Sequence, residues 1–283
     1  RFAQTLRAPV EAAGGEVRVG ADVRRIVVRD GRVAGVEFDA DGGRESAAAG
    51  VVISAAGITN TVACLEPDAA AAWQHTIGAL AAGNAFVVLY VGLEGDVAAA
   101  GAGSANHWIY EGDDIGRPWT SPADEDAPHL FVSFTSLKDP SWPGPWHTAE
   151  VMAGVPAATF APWLGHPDGW QRDDYLALKD WLAQRLRAQF ERHFPALAPM
   201  VRFHELATPL TQRRYTRTPD GSAYGLEMTA DRLQNPALRI RTPLPGLLLA
   251  GQDVSGPGVP AAFMSGLLAA AHVDPALWAQ LRH

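Results

Sequence analysis

The sequence is poor in several features that would have decided its class. It holds a single cysteine, Cys64, in 283 residues, so no internal disulfide can form and a reducing, cytoplasmic setting is the expected one. No Cys/His cluster has zinc-finger spacing and no two of the nine histidines make a His-x-x-x-His pair, which argues against a metal site. Long apolar runs are missing too. The longest, from Ala85 to Val91, falls far short of the roughly 20 residues a membrane-spanning helix needs. Positive charge is scarce: 23 Lys and Arg against 31 Asp and Glu leave a net charge of −8, so nucleic acid would be repelled at long range and is excluded as an expected partner. The Gly-x-Ser-x-Gly elbow of serine hydrolases is absent. So is an initiator methionine. The chain opens at Arg1, and Phe2, Leu6 and Val10 already trace one face of a helix, which leads to the expectation of a segment upstream.

What is present is the composition of an ordinary globular protein, 47% hydrophobic and 19% charged. Short β-branched runs punctuated by Gly14-Gly15 and Asp30-Gly31 predict a small sheet over residues 16–53, Val17 to Val19 included. It ends in Val51-Val52-Ile53, expected to be a buried strand, which runs into the small residues Ser54 to Gly57. Residues 58–82 read as helical and 84–93 as an apolar strand. The middle is rich in proline and tryptophan. There Trp108, Trp119, Trp142, Trp146, Trp163 and Trp170 are expected mainly in a core built on an antiparallel sheet with long connections. Apolar residues at three- and four-residue steps predict a long helix over 173–194. The tail reads as a short buried strand within 246–251, a Gly/Pro loop over 252–260, a helix over 261–272 and a short one over 275–281. The domain expectation is residues 1–57 with 236–283 as one unit and 58–235 as another.

The letters from Gly256 to Ala261 match Gly-x-Gly-x-x-Ala, but only 22 residues follow Ala261, too few for a complete dinucleotide-binding unit. What remains is a strand, a Gly-Gln-Asp turn, a glycine- and proline-rich loop and a helix whose first turn carries no bulky side chain. Amides at such a helix start attract an electron-rich group, and Asp253 could accept a hydrogen bond from a ribose-like hydroxyl. An ordinary strand-loop-helix connection uses the same letters, and spacing alone leaves both readings open.

The segment from Thr242 to Gly266, through Gly251-Gln252-Asp253 and Gly256-Pro-Gly-Val-Pro-Ala261, resembles the C-terminal flavin-binding motif of the phytoene desaturase, carotenoid isomerase and retinol saturase family; the Gly-Gln-Asp form is closest to the retinol saturase-like branch. The stretches Thr208 to Tyr215 and Gly221 to Gly225 resemble segments that precede this motif. The block from Gly14 to Gly57 is similar to the family's middle insertion in the FAD domain. The resemblance covers both ends and hardly touches the Trp/Pro-rich centre.

It implies a fold that is α/β plus α+β: an incomplete Rossmann-like FAD-binding domain without its N-terminal Gly-x-Gly-x-x-Gly unit, and a substrate domain of antiparallel sheet and helices. FAD is the implied cofactor. Val23 would meet the adenine through its backbone, Gly251, Gln252 and Asp253 would lie by the ribityl-pyrophosphate region, and Gly258, Val259 and Pro260 would lie against the isoalloxazine. Tyr215 and Tyr224 are candidates near the flavin, with no proton-transfer role assigned. The implied partners are an apolar isoprenoid or polyene substrate, the missing N-terminal FAD-binding segment and a peripheral membrane contact. Two alternatives stay open. One is a non-catalytic module that binds an apolar ligand or a partner after losing the dinucleotide half. The other is a relative of the amine oxidases or protoporphyrinogen oxidases.

Overall fold

A computed structural model describes residues 2–77, 80–117, 119–122 and 124–280. In chain order the elements are α1 (Phe2–Ala12), β1 (Asp22–Arg29), β2 (Arg32–Ala40), β3 (Gly43–Ala48), β4 (Val52–Ser54), α2 (Ile58–Ala63) and α3 (Pro67–Ile77). Then come β5 (Ala85–Glu94), β6 (Asn106–Tyr110), β7 (His129–Ser133), β8 (Trp146–Val155), α4 (Ala161–Leu164), α5 (Asp173–His193), β9 (Val201–Ala207) and α6 (Pro209–Thr216). The tail holds α7 (Ala230–Gln234), β10 (Leu247–Leu249), α8 (Gln252–Ser255), α9 (Val259–Val273) and α10 (Leu277–Gln280). Residue 281, the expected end of the last helix, lies outside the described residues. No helix among the described residues is long and apolar enough to cross a membrane.

The chain divides into Arg1–Leu80 with Thr229–His283, and Ala81–Met228. The cuts differ from those expected at 57/58 and 235/236: α2, α3 and residues 229–235 group with the first unit. The bonds explain it. Ile26 N–H donates to the carbonyl of Cys64 just past α2, at 2.7 Å, and the buried Arg232 donates to the carbonyl of Gln252.

In the first unit β1, β2 and β3 form an antiparallel meander, and β4 pairs in parallel with β10, Val52 opposite Leu247 and Ser54 opposite Leu249. Two expectations fail here. Val17 to Val19 is not a strand; Gly20 turns the chain at φ 67° and Val19 is 92% exposed, with no surface to pack on. Nor are Val51 and Ile53 buried, at 39% and 44% exposed, because β4 has one ladder partner among the described residues. The helix expected across 58–82 is two helices, broken where Pro67 starts α3. The expected loop 252–260 contains the single turn α8.

The second unit is a five-stranded antiparallel sheet in the order β6-β7-β8-β5-β9. Alternation along each strand splits its side chains between two faces. Val87, Leu89, Val91 and Leu93 of β5, Val151 and Ala153 of β8 and Leu206 of β9 are buried, and α5 contributes Tyr175, Leu182, Leu186 and Phe190 to the same core. Each such large side chain contributes about 1.5–3 kcal/mol. Gln189, fully buried on α5, answers both backbone groups of Ala127, at 3.0 Å each way. Of the six central tryptophans expected mainly in the core, Trp119 is buried and Trp163 half-buried, while Trp108, Trp142, Trp146 and Trp170 are exposed. The aliphatic residues of the strands fill the core instead.

Candidate functional site

In the first unit the turn after β10 gathers six of the expected residues. Gly251 (φ 96°), Gly256 (φ 135°) and Gly258 (φ 91°) take backbone conformations that L side chains rarely adopt. Gly251 N–H donates to Ser265 Oγ at 2.6 Å, which ties the turn to α9. Gly258 caps α9; Val259 and Pro260 open the helix and are exposed. Past that point the helix start presents amides without intrahelical acceptors, and the nearest side chains are alanines.

Asp253 is buried in α8. Its Oδ2 accepts from Ile58 N–H at 2.9 Å and so caps α2 from 195 residues away. Burial lowers the pKa of Arg232 while the charge of Asp253 opposes that shift. At the other end of α2, the Cys64 thiol donates a weak bond to the Val23 carbonyl, 3.6 Å away. Cys64 is therefore half-exposed at a helix end and not the buried apolar residue its alanine- and leucine-rich surroundings suggest. Val23 sits beside a β-bulge that lifts the chain out of register between Val23 and Arg25. Val23 and Asp253 thus touch opposite ends of one short helix, on the order of 10 Å apart at 1.5 Å per residue.

The second unit separates the two tyrosines. Tyr224 lines a cavity of about 160 Å³ on the open face of the sheet with Phe86, Val88, Tyr90, Glu150 and Met152, and its ring stands edge-on to Phe86 at 5.9 Å. Strand register makes this floor: Val88 lies opposite Met152 on one side and Ala207 on the other, and Tyr90 opposite Glu150. Tyr215 is not there. It is 77% exposed at the end of α6, in a groove with Lys179 and Leu176. Gly221 holds the loop that carries Tyr224, since at φ 71° a Cβ there would come within 2.4 Å of the Pro209 carbonyl oxygen.

Burial raises the pKa of Glu150, with the charge of Lys138 opposing, and burial together with Glu150 raises that of Tyr90. Neither residue, nor Arg232 or Ser265, stood out in the sequence. Each matters through a partner that is distant along the chain, and no local pattern marks it.

A helix end opened by glycines, with a buried acid one turn upstream, is what a protein offers to an extended dinucleotide cofactor. Such a cofactor would find donor amides at the start of α9 and acceptors in the Asp253 carboxylate and the Val23 carbonyl. By class, the chain carries the arrangement of a nucleotide-cofactor site.

It belongs to the flavin containing amine oxidoreductase family, whose model matches residues 1–274, and its cofactor is FAD. All-trans-retinol 13,14-reductase of Danio rerio is 28% identical over 262 residues, covering 87% of this chain and 43% of that one. The Homo sapiens protein of the same name is 27% identical over 277 residues, covering 92% and 45%. The chain spans about half the length of the curated relatives it matches. Among solved structures, an oxidoreductase from Methanosarcina mazei superimposes with a TM-score of 0.57 at 17% identity, covering 94% of this chain and 52% of the other. A putrescine oxidase variant gives 0.57 at 15% identity, with 95% and 52% covered. These two establish the fold, in which α/β elements accompany an antiparallel sheet.

Proposed function

We propose that the chain is the C-terminal part of an FAD-dependent oxidoreductase that desaturates, saturates or isomerises an apolar isoprenoid or polyene substrate. The first unit is the partial FAD-binding domain, and an N-terminal segment carrying the Gly-rich strand-helix unit completes it. The second unit binds the substrate. The observation that carries this reading is the open face of the five-stranded sheet, where Phe86, Val88, Met152 and Tyr224 make an apolar floor, with Tyr90, Glu150, Thr208 and Gln212 as the polar groups of its wall. An apolar molecule gains roughly 25 cal/mol for each Å² it buries on such a surface.

Bound FAD supplies the hydride chemistry. The chain's own residues bind and orient. The amides of Val259 and Ala261 at the start of α9 favour electron-rich groups, Gly251 and Gly258 permit close approach, and Asp253 and Gln252 supply polar atoms beside them. On the sheet, Glu150 holds its proton to higher pH than an exposed carboxyl does, while Tyr90 and Tyr224 shape the cavity wall. Delivery of an apolar substrate makes a peripheral membrane contact part of the same proposal. The non-catalytic alternative draws support from a Danio rerio relative named inactive all-trans-retinol 13,14-reductase, which is 26% identical over 93% of this chain. Identity therefore does not separate active from inactive relatives.

The test is to join the chain to the N-terminal half of a relative, follow flavin absorbance, and then mix the yellow complex anaerobically with retinoid, carotenoid and amine panels. A change of flavin redox state with retinoids or carotenoids is expected. A response to amines alone transfers the assignment to the amine oxidases. Silence toward every panel favours the non-catalytic module.

A further inference from the structure

A second cavity in the Ala81–Met228 unit has no part in the reading above. It has a volume of about 700 Å³ and is lined by Trp163, His166 and Trp170 together with Arg213, Arg214 and Arg217 in and just after α6. Among the described residues none that lines it is an Asp or Glu. In a chain of net charge −8 this is a local reversal of sign. Among the described residues neither Arg213 nor Arg214 is in an ion pair with a carboxylate, whereas Arg172, Arg185, Arg187, Arg192 and Arg202 all are. The Arg214 guanidinium lies over the Trp170 ring, 5.0 Å from its centre. The nearby acid Asp174 is engaged by Arg172 and by the Trp163 indole N–H at 2.9 Å.

The walls are held by their own bonds. On one side, Thr208 and Thr211 form a capping box at the start of α6, and Thr208 Oγ1 meets the Tyr175 hydroxyl at 2.7 Å in the interior. On the other, Gly169 lets the chain fold back, since a Cβ there would come within 2.1 Å of the Trp163 carbonyl oxygen. Basic residues in the last turn of α6 complement its dipole. That effect does not account for two indoles and three guanidiniums lining one cavity of ligand size.

We propose that this cavity binds the phosphate group of an amphiphilic phosphate ester. Guanidinium forks match phosphate oxygens pairwise, and Arg213 and Arg214 bring two of them to this cavity. The adjoining groove of about 380 Å³ shares Trp170 and Arg214 and continues over Leu176 and Tyr215, with Lys179 and Glu205 also on its wall. That groove takes the apolar portion. A membrane phospholipid and a soluble phosphate ester present the same chemistry.

Calorimetric titration of the full chain with dodecyl phosphate, inorganic pyrophosphate and dodecanol provides the test, alongside flotation with phosphatidylcholine vesicles with and without phosphatidic acid. Dodecyl phosphate is expected to bind one to one and tighter than pyrophosphate, with dodecanol silent. The Arg213→Gln/Arg214→Gln variant is expected to lose at least tenfold in affinity, and Arg202→Gln, on β9 and paired with Glu94, to lose none. Should the double variant fail to fold, Arg214→Lys keeps the charge and loses the fork, and is expected to bind severalfold more weakly. Binding of dodecyl phosphate without vesicle recruitment assigns a soluble ester; recruitment dependent on phosphatidic acid assigns a lipid headgroup. Absence of both, or binding indifferent to Arg213 and Arg214, overturns the proposal. None of these readouts involves flavin.

Discussion

The two units bury their apolar residues to different degrees. In Ala81–Met228 the inner face of a five-stranded sheet and one long helix close a core in which Phe134, Phe160, Leu182, Leu186 and Phe190 lose all contact with solvent. In the other unit β4 and β10 form a two-stranded parallel sheet, a class of pairing found almost only where both faces are covered. Phe2, Leu6, Val10, Val51, Ile53, Phe263 and Met264 are exposed there. A sequence that spaces apolar residues for burial and leaves them exposed is patterned for more neighbours than the described residues provide. The proposed N-terminal segment would supply them.

The largest test of this contrast is a pair of truncations. Phe190→Ala empties a filled core and is expected to cost about 3–5 kcal/mol, whereas Ile53→Ala removes a half-solvated side chain and costs under about 1 kcal/mol in this chain. Urea unfolding of both variants measures the difference, and equal costs would erase the distinction between the units. Joining the N-terminal half should raise the cost at Ile53 and leave that at Phe190 unchanged.

The Asp253 carboxyl offers a smaller effect confined to the first unit. Asp253→Ala removes the acceptor of the Ile58 amide and leaves Arg232 buried beside an apolar group, for about 1–3 kcal/mol. Asp253→Asn keeps an acceptor oxygen and should cost less. Hydrogen exchange at the Ile58 amide reads both, and unaltered protection in the alanine variant removes the cap from the account. In the second unit, Tyr175→Phe deletes the 2.7 Å contact with Thr208 and should cost about 1 kcal/mol.

The smallest effect is a slope. Burial raises the folded-state pKa of Glu150 above its unfolded value of about 4.3. Between the two values the native state holds the proton that the unfolded state has released, so stability falls as pH rises through that window. Glu150→Gln should flatten this part of a profile of melting temperature against pH. An unchanged slope would assign the fall to other groups.

Much of this was legible in the residues. The period of Tyr175, Leu182, Leu186 and Phe190 marks α5, and the glycines from 251 to 258 mark a turn, whereas the break at Pro67 was not read from the residues. Local sterics and hydrophobic spacing are written along the chain, and so was the resemblance carried by the segment from Thr242 to Gly266. The sequence by itself determined these elements, the flavoprotein class and the scarcity of positive charge. Only the tertiary structure decided that Asp253 caps a helix 195 residues away, that Tyr224 and Tyr215 face different cavities, that Glu150 stands opposite Tyr90, and that three arginines meet two tryptophans. These relations depend on strand register and on loops folded back over long separations, and a side chain carries no local signal of the distant group it will meet.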